Sequence, residues 1–71
     1  MDKHNLVRMA NRIGDFFQAM PDRNEALDGI VNHIRRFWEP RMRREMHDHL
    51  AAGGEGLSDI VREALTSRTF I

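Results

Sequence analysis

Apolar residues recur at intervals of three and four along this chain, and that spacing constrains its fold more than any other feature. Leu6, Met9, Ala10, Ile13, Phe16, Phe17 and Met20 fall on one stripe of a helix, and Leu27, Ile30, Val31, Ile34, Phe37 and Trp38 fall on a second. Asp15 lies opposite the first stripe. Gly14 sits at its edge, where a mid-helix glycine costs about 1 kcal/mol against alanine. Either a close helix crossing or simple tolerance explains it there. Gly29 falls opposite the second stripe, on the side expected to be exposed. A thinner stripe, Met42, Met46 and Leu50, follows, and then Leu57, Ile60, Val61, Ala64 and Leu65. No segment alternates cleanly with period two, so strands are not expected.

Breakers separate the stripes. Pro21 ends the first, and Asp22 with Glu25 fits a capping box for the second. Glu39 precedes Pro40 and is biased away from helical angles, while Pro40 suits the first position of a third helix. Gly53-Gly54-Glu55-Gly56 terminates that helix and makes a flexible turn. This glycine run is not a phosphate loop, because it lacks a preceding strand and a following Lys-Ser/Thr. Ser58 is a natural N-cap for a fourth helix. The expectation is an all-α fold, a small bundle of about four helices. Two are long and amphipathic, over about 3–20 and 22–38, and pack as an antiparallel pair. Two are shorter, over about 40–52 and 58–67. Residues 1–71 form a single small helical domain with a flexible tail at 67–71, although Phe70 and Ile71 are apolar enough to dock.

A chain of 71 residues has a thin core; at this size only about 60% of the unfolded surface is buried. Small scaffolds usually add disulfides, a metal or a partner. Cys is absent, which excludes disulfides and thiolate metal sites and leaves a partner as the simplest support. Nucleophiles are scarce: there is no Cys or Tyr, and the hydroxyls, Ser58, Thr66, Ser67 and Thr69, cluster near the C-terminus. No apolar run approaches the ~20 residues of a membrane span, and the first residues lack the apolar region of a signal peptide. A cytoplasmic location is the expectation.

Net charge is zero, which argues against a generic polyanion binder. The balance is not local. Residues 35–44 hold five arginines, Arg35, Arg36, Arg41, Arg43 and Arg44, against the single Glu39, while the flanking segments are mildly acidic. Ten arginines stand against one lysine in the whole chain. Codon usage and a preference for forked, bidentate contacts both account for that bias. The block around Trp38 and Pro40 is either a solvated face paired with nearby carboxylates or a docking patch, since Trp and Arg are enriched at interface hot spots. Arg35, Arg36, Trp38, Pro40, Arg41, Met42 and Arg43 are the candidate partner-binding residues. A nucleic-acid reading needs stacking aromatics beside the basic residues, yet Phe37 and Trp38 share a stripe with Ile34 and are expected to be buried. His47 and His49 are two apart on a helix and point away from each other, so they do not share a metal ion. His49 reads as a core-edge residue with its polar atoms satisfied.

Three blocks in order resemble a known family. Leu6-Val7-Arg8-Met9-Ala10-Asn11-Arg12-Ile13 leads into Phe16-Phe17. His33-Ile34-Arg35-Arg36-Phe37-Trp38-Glu39-Pro40-Arg41-Met42-Arg43 follows. Leu50-Ala51-Ala52-Gly53-Gly54-Glu55-Gly56-Leu57 then precedes Val61-Arg62-Glu63-Ala64-Leu65. Over about residues 3–65 the chain resembles the delta subunit of cytoplasmic, NAD-dependent, molybdenum-containing formate dehydrogenases, and the middle block is the most specific part. The resemblance implies a non-catalytic accessory subunit with no catalytic, cofactor-binding or metal-binding residue of its own. It implies that bis-molybdopterin guanine dinucleotide, iron–sulfur clusters, FMN and NAD belong to the larger subunits. It also implies partners: the large alpha subunit and its maturation chaperone, with a role in assembly and cofactor loading. The alternatives are a small helical nucleic-acid-binding regulator using the Arg35–Arg44 block, and a free-standing helical homodimer.

Overall fold

Each helix begins where the sequence supplies an acceptor or a proline and ends where the backbone is forced out of helical angles. The computed structural model describes residues 2–71. Its helices are α1 (Lys3–Phe17), α2 (Arg23–Phe37), α3 (Pro40–Ala51) and α4 (Asp59–Ser67), with no strand among the described residues. The Asp2 carboxylate accepts from His4 N–H at 2.9 Å and opens α1. Asp22 accepts from Asn24 and Glu25 N–H at 2.8 and 3.3 Å and opens α2. Glu39 is extended and Pro40 takes the first turn of α3, as expected.

α1 stops at Phe17 rather than near Met20. Met20 precedes Pro21, whose ring excludes helical angles from the residue before it, so the chain unwinds a turn early. Gln18 N–H still donates to Gly14 O at 2.8 Å, and Met20 N–H to Phe17 O at 3.0 Å. α3 ends in a paired carbonyl cap: Gly54 N–H donates to His49 O at 2.8 Å and Gly53 N–H to Leu50 O at 3.0 Å. That cap needs left-handed backbone, and Gly53 and Gly54 have φ of 118° and 64°. The turn expected to be flexible is clamped by three side chains. Arg62 donates to Gly53 O and Gly54 O at 2.8 and 2.7 Å, His49 Nε2 to Glu55 O at 2.8 Å, and Asn11 Nδ2 to Gly56 O at 2.9 Å. Ser58 holds the N-cap position of α4, but its hydroxyl makes no capping bond. Its N–H donates instead to Asn11 Oδ1 at 2.9 Å, which places the α1 amide between the turn and α4.

α1 packs against α2, α3 and α4, and α2 also packs against α4. Ala26, Leu27, Ile30, Val31 and Ile34 of α2 are buried, facing Leu6 and Ala10 of α1, Met46 of α3, and Ile60, Val61, Ala64 and Leu65 of α4. Trp38, Leu57 and Phe70 complete the core from outside the helices. Phe70 is 3% exposed, so the segment 67–71 expected to be a free tail is anchored at that ring, whereas Ile71 remains outside. Two ion pairs tie α2 to the last helix and the residue after it, Arg23–Glu63 and Arg68–Asp28, each at 2.5 Å.

Gly14 marks the α1–α4 crossing. A Cβ there would lie 2.5 Å from Val61 Cγ2 and 3.2 Å from Ile60 Cγ2. Close crossing, not tolerance, accounts for this glycine. Gly14→Ala gains about 1 kcal/mol of helix propensity but forces overpacking that costs about 1–3 kcal/mol. Because Val61 is fully buried and cannot swing away, overpacking is the larger effect. The expected outcome is a net loss of stability, read as a lower midpoint in thermal unfolding followed by circular dichroism. A raised midpoint would contradict this crossing.

Candidate docking surface

The arginine block folds into a corner where α2 hands over to α3. Arg35 and Arg36 occupy the last turn of α2, where cations complement the carbonyl end of the helix. Arg41 and Arg43 occupy the first turn of α3, which holds no acidic residue. A helix N-terminus carries partial positive charge, so these two arginines work against the α3 dipole. Arg35, Arg36, Pro40, Arg41 and Arg44 are exposed, and Met42 and Arg43 are half-buried. Among the described residues, neither ion pair involves any of the five block arginines; both use Arg23 and Arg68. The block is thus a solvent-facing set of arginines without a close ion pair among the described residues. The Nε of Arg43 is buried with no hydrogen-bond partner.

Trp38 stands apart from the other six candidates. It is 5% exposed and belongs to the core. It caps α2 in extended conformation, its N–H donating to Ile34 O at 3.0 Å, and that change of direction turns its side chain inward. Phe37, expected to share the buried stripe, is 68% exposed. Phe37 and Trp38 therefore do not stand side by side as an exposed stacking pair of the kind a nucleic-acid surface uses.

A second feature was hidden in the apolar stripes. Phe16 is 75% exposed and Met20 36%, although both lie on the first stripe. Phe16 and Phe17 meet edge to face with centroids 5.1 Å apart, Phe17 lies 6.5 Å from the His33 ring, and His33 lies 4.8 Å from Phe37. These four rings form a ladder across α1 and α2. Gly29, expected to face solvent, lies beneath it: a Cβ there would strike the Phe17 ring. A shallow groove of about 340 Å³ follows the ladder, lined by Arg12, Ile13, Phe16, Phe17 and His33. The Arg36 guanidinium carbon sits 5.8 Å from the Phe37 ring centre, within cation–π range, and joins the ladder to the arginine corner. A larger recess of about 640 Å³ lies between Lys3, Val7, His49 and Glu55, but its lining is mixed and His49 is already engaged by Glu55 O.

His49 is half-buried and hydrogen-bonded, as its core-edge reading requires. His47 is exposed, its ring 6.3 Å from Phe70. Among the described residues no three His, Asp or Glu side chains converge as a metal-binding group, and no helix is long and apolar enough to cross a membrane. The surface places guanidinium donors, which can pair with carboxylates, beside exposed apolar rings.

A family model described as NADH-dependant formate dehydrogenase delta subunit FdsD matches residues 5–65. No curated protein and no solved structure matches the chain.

Burial separates two neighbouring aromatics into opposite roles. Trp38→Ala is expected to cost about 3–5 kcal/mol, as for other buried aromatic truncations. Phe37→Ala is expected to change stability by no more than about 0.5 kcal/mol, the range of exposed substitutions. Urea unfolding of the two variants checks this, and comparable losses would contradict the placement of Trp38.

Proposed function

The chain belongs to the family of NADH-dependent formate dehydrogenase delta subunits, and on that premise we propose that it is a non-catalytic accessory subunit that docks on the enzyme's large subunit through its arginine corner. Family membership makes protein partners the premise, and the unpaired arginines support this surface as the point of contact. Five guanidinium groups lie within ten residues, and none forms an ion pair among the described residues. Two of them oppose the α3 dipole, a local cost that burying carboxylates of a partner against them removes. In this reading the bis-molybdopterin guanine dinucleotide, iron–sulfur clusters, FMN and NAD implied by the resemblance reside in the larger subunits. This chain, having no Cys, supplies no thiolate for a cluster. Its contribution is to hold the large subunit, or the chaperone that loads it, during assembly and cofactor insertion in the cytoplasm.

The same feature gives stability and binding opposite signs. Arg41→Glu replaces an unfavourable charge in the first turn of α3 by a favourable one, worth about 0.5–1 kcal/mol. The isolated variant is expected to melt slightly higher than the parent. Arg41→Glu with Arg44→Glu is expected to reduce recovery of the large subunit by at least tenfold in affinity co-purification from co-expressing cells. Full recovery with the folded double variant overturns the arginine corner as the docking site.

A further inference from the structure

Exposed aromatic rings on a small folded chain are costly unless something covers them. Phe16 and Phe37 are the most exposed large apolar side chains among the described residues, at 75% and 68%, and they stand at the two ends of one ladder. The rings between them, Phe17 and His33, are half-buried and packed edge-on, so the groove is a preformed recess between two helices. At its floor Phe17 rests on Gly29, where a side chain on that residue would take the space of the ring.

Charge decides what the groove accepts. Among the described residues the one charged side chain lining it is Arg12, and Arg36 lies over Phe37, the ring next to His33 of the lining. Neither is ion-paired among the described residues. A second copy of this chain, placed face to face on the groove, would bring the Arg12 and Arg36 cations of one copy near those of the other, where like charges repel. A segment carrying carboxylates instead forms charge-assisted hydrogen bonds with both guanidinium groups.

We propose that this groove binds an apolar segment of a larger subunit of the same enzyme, one whose large aliphatic or aromatic side chains are flanked by Asp or Glu. The apolar side chains cover Phe16, Phe17 and Phe37, and the carboxylates meet Arg12 and Arg36. The inference rests on the accessory-subunit reading above and extends it by a second contact, continuous with the arginine corner through Arg36.

Photo-crosslinking in the assembled complex tests it. Phe16→p-benzoylphenylalanine, co-expressed with the larger subunits and irradiated, is expected to give adducts mapping by mass spectrometry to an apolar stretch of a larger subunit with acidic residues within about two turns. Adducts to a second copy of this chain, to a stretch without carboxylates, or to nothing overturn the proposal. In parallel, Phe16→Ala with Phe37→Ala is expected to keep the parental melting temperature and to lower recovery of the larger subunits at least tenfold. If that variant recovers them fully while Arg41→Glu with Arg44→Glu does not, the groove proposal fails and the accessory-subunit reading stands. If the parent chain itself recovers no larger subunit, both fail.

Discussion

Asn11 joins parts of the chain that are 45 and 47 residues apart in sequence, donating to Gly56 O and accepting from Ser58 N–H. A chain without disulfides has to hold such distant segments by packing and polar clamps, and this amide does so where α4 is set against α1. Gly14, one turn further along α1, provides the close approach, with Val61 and Ile60 filling the space a side chain would take. The amide sets the register and the glycine sets the depth. With both in place, Leu57, Ile60 and Val61 reach the core, and α2 is enclosed between α1 and α4. Arg62 completes the seam by holding the carbonyls at the end of α3, so one region secures three helices.

Helical periodicity was sufficient to place four helices, because each apolar stripe is bounded by a residue with a strong backbone preference: Pro21, Pro40 and the glycine run. It could not say how wide a strip each helix buries. The first stripe contains seven apolar residues, but the neighbours of α1 fully cover only Leu6 and Ala10 among them, and Phe16 is left outside. Phe37 and Trp38 looked equivalent by spacing; the helix ends between them, and the extended backbone at Trp38 sends one ring inward and leaves the other in solvent. Phe70 has no periodic signal at all, and its burial depends on where α4 delivers the chain.

The candidate surface divides along the same line. The arginine corner was legible because its five arginines fall within ten residues, which keeps their backbones close whatever the packing. The ring ladder was not, because Phe16 and Phe17 come from α1, His33 and Phe37 from α2, and only packing brings them together. Gly29 was a clue: a glycine on a helix face suggests something pressed against it, and here that is the Phe17 ring. Family membership agrees with the motif blocks, whose most specific stretch, 33–43, contains four of the five corner arginines and one half of the ladder.

Among the described residues the ion pairs use Arg23 and Arg68, and the block 35–44 keeps five arginines against Glu39, so a molecule with no net charge has its positive and negative centres displaced from each other. Such a molecule carries a permanent electric moment. A neutral body feels no net pull in a uniform field, but it does feel a torque. In the docking proposed above, an acidic partner face would turn the chain before contact so that the arginine corner meets it first. Zero net charge would at the same time limit the indiscriminate attraction to polyanions that a strongly basic protein of this size has.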